Sequence, residues 1–324
     1  MQIIANTNGM SRDEWLAMRK NGLGGSDAAV VAGLNQYKSP FTLFLEKTGQ
    51  IDADDVYETD EDGAFVSGSE AAYFGNKDEE AVAAEFALRT KLKVRRDNRM
   101  MAHKDYPWML ANIDRRIIGT NEILECKTAS EYLKGEWEGD DLPQQYYIQG
   151  MHYLAVTGAK AVWFAVKIGG NKFIYKRIER DDEVIADLIA IEKDFWENHV
   201  VPGFAPSIDG SDASSNFLAK MFKGNPDSEM LLDTEADQLI QELEEAKNSK
   251  KQIDELVKMY ENRLKQKLGD VETGKASSHL VTWKSVSSSR VDSKLLKSEY
   301  PDIYEAVVKP SVSRRFGVKK LKEK

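Results

Sequence analysis

Hydrophobic and polar residues alternate most clearly in the middle of the chain, over residues 113–127. Two extended runs flank a segment with the composition of a turn, and residues 122–127 alternate apolar and polar as a half-buried strand does. A turn centred near Thr120 pairs positions whose numbers sum to about 239–240, as in an antiparallel hairpin. The pattern therefore predicts a hairpin with Asp114 opposite Glu125 or Cys126.

The side-chain period of a strand places Glu125 and Lys127 on one face, with Leu124 and Cys126 on the other. Two carboxylates, from Asp114 and Glu125, and one ammonium are then close together. Magnesium is held by one or two carboxylates together with water and phosphate oxygens. The hairpin thus predicts a metal-dependent phosphodiesterase site, in which the lysine reaches the attacking water or the phosphate. The same spacing also fits an ordinary solvent-facing hairpin with cross-strand charges.

The N-terminal region has two helix starts close together. Ser11 and Glu14 form a capping box that begins a short helix. The glycine-rich stretch at residues 21–33 then predicts a turn leading into a small-residue helix, with Ser26 as the N-cap. Free N–H groups at such a turn suit a phosphate, and Arg19 would add a bidentate contact. An ordinary turn with an ordinary cap explains the stretch equally well.

The following segments add helices and one acidic stretch. Ser39 and the following proline predict a helix that ends at Gly49. Residues 52–62 are strongly acidic and predict a mobile loop. Residues 69–89 predict a long helix with Glu79 near its middle. This glutamate either reaches toward the hairpin site or occupies a solvated helix position.

Residues 91–101 and 108–113 alternate as strands that lead into the hairpin, and residues 142–156 predict a helix ending at Gly158. Gln149 and Tyr153 share one face of that helix, which suits a phosphate or base contact but also an ordinary polar edge. Residues 161–168 and 172–178 predict a second hairpin, and residues 181–198 a covering helix. Residues 1–206 are thus expected to form an α/β domain with a mixed central sheet flanked by helices.

The C-terminal third has a different organisation. Residues 207–230 are rich in Gly, Ser, Asp and Pro and predict a linker. Residues 231–270 predict a long helix whose apolar seam follows a coiled-coil pattern that needs a partner helix, with Lys250 as the one polar break. Residues 271–324 predict a small basic β-α-β module, with strands at 279–286 and 311–320 around a helix at 292–300. This module either touches DNA or a partner protein, or stabilises the fold.

Charge and composition narrow the class of protein. The net charge is −9 over 324 residues, which argues against a passive nucleic-acid coat, although residues 91–99 and 314–324 are basic. One cysteine excludes an internal disulfide and a cysteine-based zinc site, and four scattered histidines leave little for a histidine metal site. No apolar run approaches about 18 residues and no secretion signal opens the chain, so a cytoplasmic protein without a membrane span is expected.

Five ordered segments between about residues 12 and 200 resemble the YqaJ-like viral recombinase nucleases, relatives of phage lambda exonuclease in the PD-(D/E)xK superfamily. They are "EWLAMRKNGLGGSDAAVVAGLNQYKSPFTLFLEKTG", "FGNKDEEAVAAEF", "LKVRRDNRMMAHKDYPWMLANIDR", "ILECKTAS" and "QYYIQGMHYLAVTG". The resemblance implies a restriction-endonuclease-like core. The final 125 or so residues lie outside it.

This resemblance implies an enzyme that degrades linear duplex DNA from its 5′ ends and leaves 3′ single-stranded overhangs. It implies Mg²⁺ as the cofactor, with two ions per site and Mn²⁺ as a substitute. It also implies a ring-shaped homotrimer, cooperation with a phage single-strand annealing protein, and action in the cytoplasm of a bacterial host.

The resemblance also assigns roles to individual residues. Asp114, Glu125 and the backbone carbonyl of Cys126 match metal ligands, and Lys127 matches the group that positions or deprotonates the attacking water. Glu79 matches a helix glutamate that supports the metal site. The 5′-phosphate and DNA contacts match Arg19, Ser26, Gln149 and Tyr153. The superfamily's proline is an isoleucine here, at position 113.

Two other functions fit the same residues. A structure- or site-specific endonuclease would use the same metal core but would cut covalently closed circles. A non-catalytic adaptor that binds DNA ends would recruit an annealing protein through the C-terminal region. The intact set of Asp114, Glu125 and Lys127 speaks against the adaptor.

Overall fold

A computed structural model describes residues 1–53, 57–60, 62–222, 229–289, 291–309 and 316–318. The chain divides into two compact units, Met1–Phe222 (unit 1) and Lys223–Lys324 (unit 2). Among the described residues, no helix combines the length and the apolar character that crossing a membrane requires.

Unit 1 contains both strands and helices, in groups along the chain. A 3₁₀ helix at Glu131–Trp137 precedes its fifth α-helix, and a π-helical turn at Phe195–Val200 extends the sixth. The strands are β1 (Gln2–Asn6), β2 (Tyr57–Thr59), β3 (Phe65–Gly68), β4 (Val94–Arg96), β5 (Arg99–Ala102), β6 (Leu110–Asn112), β7 (Arg115–Ile117), β8 (Glu122–Ala129), β9 (Ala161–Ile168) and β10 (Lys172–Glu179). The helices are α1 (Arg12–Arg19), α2 (Gly25–Val31), α3 (Pro40–Lys47), α4 (Glu70–Thr90), α5 (Gln144–Thr157), α6 (Asp182–Asp194) and α7 (Asp212–Met221).

The central sheet has the order β10-β9-β8-β7-β4. Strands β7 and β8 form the predicted antiparallel hairpin, with Arg115 paired to Leu124 and Arg116 to Ile123, so the paired numbers sum to 239 as predicted. Strands β8 and β9 are parallel, and α5 lies in the crossover between them. The sheet is therefore mixed and flanked by helices, which confirms the predicted fold class.

Both faces of the central sheet are covered by apolar side chains. Ile123 of β8 belongs to the larger core cluster, which includes residues of α2, α3, α5 and α6. Its neighbour Leu124 points the opposite way, into a smaller cluster with Val82 and Phe86 of α4. Adjacent residues of β8 thus serve two different cores, as the period of two requires. Both Ile123 and Leu124 are fully buried.

The predicted strand over residues 91–101 is in fact two strands in two sheets. β4 lies at the edge of the central sheet, whereas β5 lies between β1 and β6 in a separate three-stranded sheet. Asp97 lies between β4 and β5, and its buried carboxylate accepts hydrogen bonds from Arg99 and Arg116, each at 2.6 Å. These ion pairs hold Asp97 at the boundary between β4 and β5, a boundary that hydrophobic alternation alone does not reveal.

The prediction of a loop over residues 52–62 is wrong for part of that stretch. Tyr57–Thr59 forms β2 and pairs with β3, while residues 54–56 and 61 lie outside the described residues. The rings of Tyr57 and Phe65 each lie 5.6 Å from the ring of Tyr73 on α4. These aromatic contacts dock the hairpin on the helix despite its acidic sequence.

The stretch predicted as a linker, residues 207–230, contains helix α7. Ser211 caps this helix by accepting a hydrogen bond from the Ser214 N–H at 3.1 Å. The Phe217 ring packs edge-on against Phe41 of α3 at 5.7 Å between centroids. One aromatic anchor and one cap are enough to order a segment whose composition is otherwise typical of a linker. Residues 223–228 lie outside the described part of the chain.

Unit 2 contains the predicted long helix, α8 (Thr234–Leu268), with Asp233 as its N-cap. A hairpin of β11 (Thr273–Lys275) and β12 (Leu280–Thr282) and two short helices, α9 (Ser293–Glu299) and α10 (Pro301–Val307), follow. The β-α-β prediction missed β11, which is only three residues long, and it also missed α10. The predicted basic strand at 311–320 falls largely outside the described residues.

We expect Gly150→Ala to destabilise unit 1, because α5 packs closely on β9 at this glycine. A Cβ at Gly150 would lie 2.9 Å from Val162 and 3.1 Å from Phe164, both fully buried. Overpacking costs about 1–3 kcal/mol, which outweighs the gain of up to about 1 kcal/mol in helix propensity. Urea denaturation should therefore show a lower midpoint.

Gly135→Ala is the matched control, because nothing lies within 4 Å of its added Cβ. Its free energy of unfolding should stay within about 0.5 kcal/mol of the wild type. Equal midpoints for Gly150→Ala and the wild type would contradict the close packing of α5 on β9.

Candidate active site

A cleft of about 1460 Å³ in unit 1 brings the predicted site residues together. They come from α1, α2, α4 and α5 and from both sides of the β7–β8 hairpin, so segments far apart in sequence meet at one place. The predicted residues that line the cleft are Arg19, Ser26, Glu79, Asp114, Glu125, Cys126, Lys127, Gln149 and Tyr153.

Asp114 and Glu125 lie across from each other at the start of the β7–β8 hairpin, and each is held by the other's strand. The Cys126 N–H donates to Asp114 Oδ2 at 2.7 Å, and the Asp114 N–H lies 3.4 Å from Glu125 Oε1. Lys127 Nζ donates to the second oxygen, Oε2, of Glu125 at 3.1 Å. Glu125 is almost fully buried, while Asp114 and Lys127 retain partial exposure. Two acids and one ammonium thus share one pocket.

The electrostatics of this cluster favour an added cation. Burial and the neighbouring Asp114 carboxylate raise the pKa of Glu125 to about 8. Burial also raises the pKa of Asp114, and the negative charge of Glu79 adds to this effect. Burial opposes the charge of Lys127, but the carboxylates of Glu125 and Asp114 outweigh it and raise the pKa of the ammonium. One lysine therefore does not keep both acids ionised at neutral pH.

Glu79 lies at the same cleft but is engaged by arginines. Its Oε1 accepts hydrogen bonds from Arg115 and from Arg96, the latter at 3.0 Å. Arg115 is buried and also donates to the Asp114 carbonyl at 2.9 Å and to Glu80 at 2.8 Å. The two arginines were not predicted as site residues. Arg115 directly follows Asp114, and that adjacency is the one sequence signal for it.

Arg19 and Ser26 contact each other, with the Arg19 guanidinium donating to Ser26 Oγ at 2.9 Å. The prediction that Ser26 is the N-cap of α2 is wrong. The cap is Gly24, whose N–H donates to the carboxylate of Asp27 at 2.9 Å. Because Asp27 makes the capping contact from inside the first turn, the Ser26 hydroxyl faces Arg19 instead.

Asp27 and Lys47 form a buried ion pair behind Arg19 that the sequence analysis did not identify. Lys47 Nζ lies 2.7 Å from Asp27 Oδ2 and donates to the Arg19 carbonyl at 3.1 Å. The second carboxylate oxygen, Oδ1, lies 3.6 Å from the Arg19 guanidinium. Burial disfavours the charged Asp27, but Lys47 and Arg19 outweigh it and lower its pKa. The pair fixes α1, α2 and α3 around Arg19. Lys47 lies 20 positions from its partner, so local sequence patterns give no signal for it.

Gln149 and Tyr153 are one helical turn apart on α5, with Gln149 Nε2 3.2 Å from the Tyr153 hydroxyl. Both side chains are mostly buried. A Cβ at Gly25 would lie 2.6 Å from the Tyr153 ring, so the glycine permits the close approach of α2 to α5. The ring of Tyr146, one further turn back, lies 5.9 Å from Lys127 Nζ. α5 therefore forms one wall beside the acidic pair.

Comparisons with known proteins identify the family of this chain. The YqaJ-like viral recombinase domain matches residues 14–160, which include every predicted site residue. The chain is 42% identical to the uncharacterized protein YqaJ of Bacillus subtilis (strain 168), over 99% of this chain and 98% of that protein.

Two solved structures are also similar. An alkaline exonuclease, LHK-Exo, from Laribacter hongkongensis is 19% identical with a TM-score of 0.47, covering 57% of this chain and 91% of that one. A phage-related exonuclease from Haemophilus somnus 129PT is 10% identical with a TM-score of 0.42, covering 56% and 96%. The sequence matches, over the whole length and over the cleft, show that the chain belongs to the YqaJ-like viral recombinase family.

Proposed function

We propose that this protein is a metal-dependent exonuclease that acts on the ends of linear double-stranded DNA. It degrades the 5′-ended strand and leaves 3′ single-stranded overhangs for recombination by annealing. The observation that carries the proposal is the cluster of Asp114, Glu125 and Lys127 in a cleft of a viral recombinase domain. Acids, an amine and an open cleft are what phosphodiester hydrolysis with a metal ion needs.

The donor set of the cluster fits a hard divalent cation. Among the described residues, no group of three or more His, Cys, Asp or Glu is arranged to hold a metal ion. Mg²⁺ needs only one or two carboxylates, since water and phosphate oxygens complete its shell. We assign Asp114 and Glu125 as ligands, with the Cys126 carbonyl beside them, for two Mg²⁺ ions that Mn²⁺ can replace. Such ions would lower the pKa of water and stabilise charge on the phosphate.

Lys127 supplies the remaining positive charge of the cluster. Its ammonium is fixed by Glu125 Oε2 and lies near the Tyr146 ring, so its position is set by β8 and α5. Its raised pKa keeps it protonated at neutral pH. In the proposed reaction it orients the attacking water and stabilises the negative charge that develops on the phosphate oxygens. Glu79, held by Arg96 and Arg115, supports the acidic pair from α4.

Arg19 and Ser26 would bind the terminal 5′-phosphate and make the enzyme exonucleolytic. The guanidinium and the hydroxyl are already in contact, and the Asp27–Lys47 pair holds this part of the cleft in place. Charge-assisted hydrogen bonds from arginine are strong and directional toward phosphate. Gln149 and Tyr153 would contact the DNA from α5.

The biological setting is inferred from the family. We propose that the protein acts in the cytoplasm of a bacterial host, as a ring-shaped homotrimer around DNA, together with a phage single-strand annealing protein. The viral recombinase domain supports this setting.

Digestion of linear duplex DNA labelled separately at each end tests the function directly. We expect Mg²⁺-dependent release of the 5′ label first, loss of release with EDTA, and a mass in solution that is a multiple of three chains. Covalently closed circular duplex should stay intact. Cleavage of the circle would support an endonuclease instead, and end binding without nucleotide release would support a non-catalytic adaptor.

Lys127→Ala should lower the rate of nucleotide release by at least about 100-fold, the usual effect of removing one transition-state donor. Its affinity for DNA should stay close to that of the wild type, measured by fluorescence anisotropy. Lys167→Ala is the matched control, because Lys167 lies on β9, bonded to Asp78 rather than lining the cleft. A Lys127→Ala enzyme with near-wild-type rate would remove the lysine from the mechanism.

Arg19→Ala should lower the preference for 5′-phosphorylated over 5′-hydroxyl ends by about tenfold or more, since hydrogen bonds to charged groups contribute about 1.5–3 kcal/mol. The ratio of the two rates, measured on otherwise identical duplexes, reports this preference. Lys20→Ala removes a neighbouring exposed charge and should leave the ratio unchanged. An unchanged ratio in Arg19→Ala would contradict the assignment.

Magnesium affinity should rise as the pH increases through about 8. The raised pKa of Glu125 keeps its carboxyl largely protonated at pH 7, so the ion must displace a proton to bind. Titration calorimetry at pH 7 in two buffers of different ionisation enthalpy should therefore show proton release, which disappears at about pH 9. Glu125→Gln should bind Mg²⁺ weakly and with less proton release. Binding by the wild type without proton release at pH 7 would contradict the prediction.

A further inference from the structure

Helix α8 presents an apolar seam that its own unit leaves exposed. The seam advances by alternating steps of four and three residues, which is a coiled-coil repeat. None of the 35 residues of α8 is buried. Leu239, Ile253, Val257, Tyr260 and Leu264 are each 45–60% exposed. At 1.5 Å per residue the helix is about 52 Å long, enough for five heptads. Its seam residues are Leu239, Leu243, Ala246, Lys250, Ile253, Val257, Tyr260 and Leu264.

The charges along α8 are strongly uneven. Residues 234–246 carry five acids and no base, so this part has a net charge of −5. Residues 247–268 carry seven bases and three acids, a net charge of +4. Two copies of such a helix attract each other when they run antiparallel and repel each other when they run parallel.

The seam residues lead to the same orientation. In a parallel pair, each seam residue meets itself, so Lys250 would face Lys250 in the middle of the interface. In an antiparallel pair with aligned helix ends, Lys250 lies beside Ile253 of the second copy, and its aliphatic stem can cover that side chain. Each of the other layers pairs one seam residue with another, and none of them places two charged residues together. These layers pair Leu239 with Leu264, Leu243 with Tyr260, and Ala246 with Val257 of the second copy.

The positions that flank the seam add opposite charges in this orientation. Lys247 lies opposite Asp254 of the second copy, and by symmetry the same contact occurs twice. Glu242 lies near Arg263 of the second copy in the same way. Flanking pairs of this kind determine partner and orientation in coiled coils.

We propose that α8 is a self-association surface and pairs antiparallel with α8 of a second copy of this chain. The occupant is a second copy because one helix supplies both the acidic and the basic half and both members of each layer. This inference does not depend on the proposed nuclease activity.

Cysteine cross-linking in the full chain tests the pairing and its orientation. Two variants, Leu239→Cys and Leu264→Cys, are expressed singly and together, with chains of different tag length. In the antiparallel pair residue 239 of one copy lies beside residue 264 of the other, whereas two copies of residue 239 lie about 37 Å apart along the axis. We expect a disulfide-linked heterodimer under mild oxidation only when the variants are co-expressed. The wild type, with Cys126 alone, gives the background.

Charge reversal provides a second measurement that does not alter the seam. In the cross-linking pair, Lys247→Glu or Asp254→Lys alone should lower the yield several-fold at low salt. Both substitutions in the same chains should restore it, because the two charges exchange places across the interface. A role in the stability of the single helix would not produce this rescue.

Two outcomes would overturn the proposal. Cross-linking of each single variant with itself, at the same yield as the co-expressed pair, would show a parallel arrangement. Absence of cross-linking in the co-expressed pair would show that something other than a second α8 covers the seam, such as another segment of this chain or a different protein.

Discussion

The pairing of Asp114 with Glu125 across the β7–β8 hairpin is the constraint on which the candidate site depends. The register of the hairpin determines this pairing. A slip of one residue would turn Glu125 and Lys127 toward α4 and place their charges in the apolar cluster around Phe86. The fully buried Ile123 and Leu124 oppose such a slip, since each would move to the wrong core. The two cores thus hold two carboxyl groups so close that ionising both has a free-energy cost, which a bound cation would offset.

The elements around the hairpin complete the site from opposite sides. From α4, Glu79 approaches with its charge paired to Arg96 and Arg115, and the charge of Arg115 offsets part of the repulsion between Glu79 and Asp114. The crossover helix α5 brings Gln149 and Tyr153 to the other side, and Gly25 lets α2 pack against them. Parallel pairing of β8 with β9 requires such a crossover, so the sheet topology itself places α5 beside the acids.

Local patterns in the sequence predicted much of this arrangement. Turn composition and alternation predicted the hairpin register, capping residues predicted the starts of α1 and α3, and an i, i+4 spacing placed Gln149 and Tyr153 on a common face. Contacts between distant segments could not be predicted in this way. The Asp27–Lys47 pair, the arginines around Glu79 and the docking of Tyr57 on Tyr73 join residues 16 to 36 positions apart. Their partners are determined only once the helices pack.

Contacts between cations and aromatic rings in the cleft bear on how a chain with a net charge of −9 could accommodate a polyanion. Several cations of the cleft lie near aromatic rings: Arg12 near Tyr57 at 4.1 Å, Arg19 near Trp15 at 4.9 Å and Lys77 near Tyr73 at 5.2 Å. A ring helps to hold a cation in place and contributes no net negative charge of its own. The proposed nuclease needs ordered cations in its cleft and few elsewhere. Salt screens the interactions between distant charges, so an acidic exterior is compatible with DNA binding in this one cleft.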